Sequence, residues 1–108
     1  MRTPKMIKDL NEVDFDKAIA GDKVIIDFWA PWCGPCKIFS PTLDEIDKEV
    51  ADLTIYKVNV DNYPALAGRQ NVHSIPTLLF YRRGKLVDSS IGVVSKSVIL
   101  QKLERMND

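Results

Sequence analysis

Apolar residues recur along this chain at two periods, and the switches between them mark its elements. A short strand is expected near Met6-Ile7. Asn11 then has the chemistry of a helix cap, with Phe15, Ala18 and Ile19 on one helical face and Gly21 as the stop. Val24-Ile25-Ile26-Asp27-Phe28-Trp29 is β-branched and aromatic with almost no polar alternation, the pattern of a central strand covered on both faces. Over residues 34–50 the period becomes helical, with Phe39, Leu43, Ile46 and Val50 in register. Pro41 falls inside that helix, where it has no N–H to offer the Lys37 carbonyl, so a kink is expected. Residues 53–60 read as a second strand, and 64–70 as a short helix weakened by Gly68. Two further strands, 77–81 and 86–91, flank Arg82-Arg83-Gly84-Lys85, which is a hairpin signal. Ser95 is placed to cap a last helix that buries Ile99, Leu103 and Met106.

The predicted order is therefore β-α-β-α-β-α-β-β-α, an α/β chain. Strands joined by helices are expected to pair in parallel, and the closing hairpin to add antiparallel strands, giving a mixed sheet sandwiched by helices. Candidate site residues then gather where the central strand hands over to the next helix, just after Trp29.

Composition narrows the function classes. A chain of 108 residues with no repeats or linker-like segments reads as a single domain over 1–108, and 45% hydrophobic residues suffice for one packed core. Fifteen basic and fifteen acidic side chains cancel, so no electrostatic footprint points to nucleic acid or to anionic lipid. No apolar run is long enough to span a membrane, and MRTPKMIKDL lacks the apolar core of a signal peptide. A cytoplasmic, monomeric protein is the expectation, in a compartment where thiols stay reduced.

Cys33 and Cys36 are the only cysteines, in the stretch FWAPWCGPCK. A structural zinc site needs four ligands, and here one cysteine pair and a single distant histidine, His73, fall short; no metal is expected. As a staple, a disulfide closing so short a loop supplies only about 2 kcal/mol. A redox couple fits better. Positions i and i+3 of a helix hold Cα atoms about 5 Å apart, inside the span of a disulfide. Cys33 at the helix start meets unpaired N–H groups and the positive end of the dipole, which favour a thiolate. Cys36, one turn further in, is expected to be the more shielded. Cys33 is thus placed to attack and Cys36 to resolve. Gly34 lets a substrate backbone approach, and Pro35 is tolerated in a first helical turn. Trp32 is either a core residue or a contact for a partner protein.

WCGPC preceded by DFWA, then KVNVD, SIPTLLFYRRG and an Ile-Gly before the last helix, resembles the bacterial-type thioredoxin family over essentially the whole chain. The resemblance implies a thioredoxin fold, a five-stranded mixed central sheet flanked by four helices. It implies a protein-disulfide reductase that acts on disulfide-containing proteins and is re-reduced by thioredoxin reductase, a flavin enzyme drawing on NADPH. The chain has no glycine-rich dinucleotide motif, so NADPH and FAD are expected on that partner and no cofactor on this chain. The alternatives are an exported oxidant or isomerase on the same fold, and a thioredoxin-fold binding subunit of a larger assembly.

The resemblance also assigns roles to single positions. Asp27 interrupts an apolar strand; it is either a hydrogen-bonded structural residue or, as the family implies, a proton relay to Cys36 whose pKa is raised by burial. Lys57 is similar to the lysine that pairs with that aspartate, its alternative being a solvated surface residue. An X-Pro bond is by itself mostly trans, whereas the family implies a cis Ile75-Pro76 bond opposite the cysteines, with the Ile75 backbone free to pair with an extended substrate segment. Ile91, Gly92 and Val93 complete the apolar rim that the family uses to hold partners, although Gly92 also reads as a plain turn residue. Ser74 and Val93 depart from the common glycine and alanine, and His73 is either a solvated loop residue or a group that titrates beside the site.

Overall fold

In the computed structural model, which describes residues 6–107, five strands lie in the order β1-β3-β2-β4-β5. They are β1 (Lys8–Asp9), β2 (Lys23–Trp29), β3 (Leu53–Asn59), β4 (Thr77–Arg82) and β5 (Lys85–Ile91). The helices are α1 (Phe15–Ile19), α2 (Gly34–Glu49), α3 (Pro64–Arg69) and α4 (Lys96–Arg105). The element order is the one the periodicity predicts. The leading Met1 to Lys5 of the N-terminal segment lies outside the described residues, and the first strand falls at Lys8–Asp9 rather than at Met6-Ile7. Asn11 caps a turn and not the helix itself: its Oδ1 accepts the Asp14 N–H at 2.8 Å, and α1 begins one residue later.

Strand β2 explains its own composition. Val24, Ile26 and Phe28 face one side, packing with Phe15 of α1 and with Leu66 and Ala67 of α3. Ile25 faces the other side, against Phe39, Leu43 and Ile46 of α2 and Ile99 and Leu103 of α4. Both faces being covered, an apolar run replaces alternation. Phe80 of β4 is wholly buried in the second layer. Phe80→Ala is expected to cost about 3–5 kcal/mol through lost transfer energy and the cavity left behind, read as a lower midpoint in denaturant unfolding with an unchanged slope.

The expectation that helix-linked strands run parallel holds for β2 and β3 but not for β3 and β4. β2 pairs with β3 in parallel and with β4 antiparallel, and Phe28 lies between Val58 and Thr77. The end of β3 and the start of β4 are therefore at the same edge of the sheet. A six-residue α3 is about 9 Å long, whereas returning along a seven-residue strand takes about 23 Å. The connection turns around at one end instead of crossing over. The hairpin turn Arg83-Gly84 has positive φ at both residues, 50° and 88°, the twist that two-residue hairpins require. Arg83 tolerates it because the backbone N–H groups of Arg83 and Gly84 donate to Gly21 and Ile19 at 2.8 Å. α2 continues through Pro41 as one helix, and Ser95 caps α4 by accepting the Val98 N–H.

Candidate active site

The central strand ends at Trp29, and four residues later Cys33 forms the N-cap of α2 with extended backbone angles. Its Sγ accepts the Cys36 N–H at 3.2 Å, satisfying one of the helix's free donors. Pro35 sits in the first turn, where it removes no helical bond. Cys33 and Cys36 are joined in a disulfide with Cα atoms 5.3 Å apart, as the helical spacing predicts. A Cβ at Gly34 would meet nothing within 4 Å, so internal packing does not demand glycine there; the space opens outward.

Cys36 is not the more shielded sulfur residue. Cys33 is 4% exposed and Cys36 7%, because both pack against Ala30, Trp29, Val60 and Ile75. What separates them is polar surroundings. Cys33 lies at the helix terminus, while Cys36 lines a cavity of about 90 Å³ with Asp27, Trp29, Lys37, Ser40 and Lys57.

Asp27 enters that cavity because alternation along β2 turns it toward α2, on the same face as Ile25. It is 4% exposed, and its Oδ1 has no hydrogen-bond partner among the described residues. Burial pushes its pKa from 3.8 to about 7, opposed by the charge of Lys57. Lys57 is Asp27's register neighbour on β3, yet it is not hydrogen-bonded to it. Its ammonium donates to Ser40 Oγ at 3.3 Å and lies 5.6 Å from the centre of the Trp29 ring. The lysine is half-buried, not solvated, and acts on the aspartate through space. Among the described residues, no group of three His, Cys, Asp or Glu side chains is placed to hold a metal, and no helix is long and apolar enough to cross a membrane.

Trp32 is 68% exposed and therefore not a core residue. Its Nε1–H donates to both carboxylate oxygens of Asp61, at 3.1 and 3.0 Å. The ring walls an apolar groove of about 520 Å³ that also takes in Val60, Val72, His73, Ser74 and Ile75. The Ile75-Pro76 bond is cis. Gly92 has φ 83° and donates its N–H to the Pro76 carbonyl at 2.8 Å, so it is more than a turn residue. Ile91, paired with Thr77 and exposed, does not line the main groove. It borders a separate hollow of about 240 Å³ that meets the groove at His73 and Ser74. Val93 is exposed beyond it. Asp61, Val60 and Ser40 escape the sequence reading as site residues; Val60 and Asp61 carried a signal, as the last two residues of KVNVD, and Ser40 carried none.

The disulfide thus caps α2 beside a buried carboxylate, and Ile75, which precedes the cis proline, packs against both cysteines. The sequence profile of the Thioredoxin family matches residues 6–105. The chain belongs to the thioredoxin family. It is 39% identical over 104 residues to the chloroplastic thioredoxin M-type of Spinacia oleracea, covering 94% of this chain. It spans only 58% of that protein's length. It is 40% identical to the thioredoxin of Chlamydia caviae, covering 93% of this chain and 98% of the relative. The solved structure of the Malassezia sympodialis thioredoxin superimposes with a TM-score of 0.86 at 28% identity, over all of this chain and 96% of the other. The five-stranded mixed sheet and four helices are thus those of the thioredoxin fold.

Proposed function

We propose that this chain is a thiol–disulfide oxidoreductase that reduces disulfides in partner proteins. The observation that carries the reading is the Cys33–Cys36 disulfide at the N-terminus of a long helix, next to a buried carboxylate. In the dithiol form, the helix terminus favours the Cys33 thiolate, which attacks one sulfur of the partner's disulfide. That bond breaks, a mixed disulfide forms, and the first partner thiolate leaves and takes up a proton. Cys36 gives its proton to Asp27, directly or through water, for which the cavity between them has room. The Cys36 thiolate then attacks Cys33 Sγ and expels the second partner thiol. Two electrons have passed to the partner, and the chain's disulfide is closed.

Partner segments lie across Ile75 and Pro76 in this reading, held by Trp32 and the apolar groove on one side and by Ile91, Gly92 and Val93 on the other. The chain acts as one monomeric domain in a reducing, cytoplasmic setting, and thioredoxin reductase restores the dithiol with electrons from NADPH through FAD. Reduction of insulin disulfides by the purified protein, with NADPH and a thioredoxin reductase, tests both halves of the cycle. Precipitation of the insulin B chain with NADPH consumption is expected; turbidity no faster than without the protein overturns the reading.

A further inference from the structure

Ser40 has no part in the exchange just described, yet its hydroxyl is, among the described residues, the one hydrogen-bond acceptor of the Lys57 ammonium, at 3.3 Å. It stands one helical turn after Cys36, on the wall of the cavity that holds Asp27. The ammonium is fixed from two sides, by this hydroxyl and by the face of Trp29 at 5.6 Å. Asp27, its register neighbour, keeps a buried oxygen with no partner among the described residues. An ammonium released from this hydroxyl would be drawn toward that oxygen, because a buried unpaired carboxylate is a strong acceptor for a charged donor. The groups that line the cavity with Asp27 are Cys36, Lys37 and Ser40 from α2, Trp29 from β2 itself and Lys57 from β3, and of the charged ones Lys57 is the one that acts on its carboxyl. Across the β4 ladder its partner is the uncharged Leu78.

We propose that Ser40 is a positioning residue which holds the Lys57 ammonium against Trp29 and out of contact with Asp27, so that Asp27 stays able to take and return the proton of Cys36. An opposite charge in direct contact would lock the carboxyl in its ionised form, whereas the same charge held back only moderates the effect of burial. The inference rests on the proposed exchange for its purpose but not for its test.

The test follows the Asp27 side-chain carboxyl carbon by NMR as the oxidised protein is titrated. The unsubstituted protein is expected to titrate near pH 7. Ser40→Ala is expected to lower that midpoint by about one pH unit as the freed ammonium reaches the carboxylate. Ser40→Thr, which keeps the hydroxyl, leaves it unchanged. In a Lys57→Met background, which removes the ammonium, Ser40→Ala moves nothing further. A midpoint unmoved or raised by Ser40→Ala overturns the proposal, and so does an equal shift in the Lys57→Met background. Neither measurement uses a disulfide substrate, so a chain inactive toward insulin still decides the role of Ser40.

Discussion

Cys36→Ser will convert the chain into a trap. Cys33 keeps its place at the N-cap of α2, because its backbone position comes from the β2–α2 turn and the Ala30 carbonyl, which accepts its N–H at 3.1 Å. It still attacks a partner's disulfide, but serine cannot displace the partner from the resulting mixed disulfide, since an alkoxide is not formed at neutral pH and makes no stable bond to sulfur. Turnover in the insulin assay should fall to the rate seen without protein, while disulfide-linked adducts accumulate and vanish on adding dithiothreitol. Cys33→Ser should be equally inactive and form far fewer adducts, because the remaining sulfur, though barely accessible like its neighbour, lacks the helix terminus that favours a thiolate. Equal adduct formation by the two variants would show that the sulfurs do not divide the work as their positions suggest.

Asp27→Asn should make the oxidised protein more stable at high pH and slower in the exchange. In the folded chain the carboxyl keeps its proton up to about pH 7, whereas in the unfolded chain it ionises near 3.8. Between those values the native state binds the extra proton, so stability falls as pH rises; above about pH 7 the loss is complete and constant. A displacement of this size corresponds to about 4 kcal/mol. Asn has the same shape without the charge and escapes the penalty, less the cost of burying its own amide. A gain of about 2–4 kcal/mol over the unsubstituted protein is expected at pH 8, shrinking to nothing near pH 4. Denaturant unfolding at the two pH values measures it, and a gain independent of pH would mean that packing and not ionisation is responsible. The same variant loses the proton acceptor for Cys36, so release of partner from the mixed disulfide should slow by about 10²-fold.

The two effects share one cause, the place of a carboxyl in an apolar strand. Sequence alone exposed that conflict, because Asp27 stands inside a run of β-branched and aromatic residues. That Lys57 moderates the conflict was implied only by the family resemblance and not by the pattern of residues. Lys57 is 30 residues away along the chain, and only the parallel register of β2 and β3 sets it beside Asp27. Ser40 looks like an ordinary polar position on α2 until β3 is packed beneath the helix.

The groove shows a similar division. Trp32 is conspicuous beside the cysteines, but its exposure and its bond to Asp61 depend on how the end of β3 meets the end of β2. Ile91 and Val93 are legible as apolar residues near a turn; that Ile91 belongs to a hollow beside the groove, and not to its wall, follows from the register of β5 on β4.

Periodicity, capping residues and the spacing of two cysteines determined the order of elements, the central strand, the helix that carries the disulfide and the chemistry of the pair. These are local quantities, set by backbone geometry within a few residues. The reversal of β4, the near-equal burial of Cys33 and Cys36 and the place of Lys57 between Ser40 and Trp29 were decided by the tertiary structure. Each depends on which strand lies beside which, and a short helix that cannot span the sheet fixes that only once the whole chain is packed.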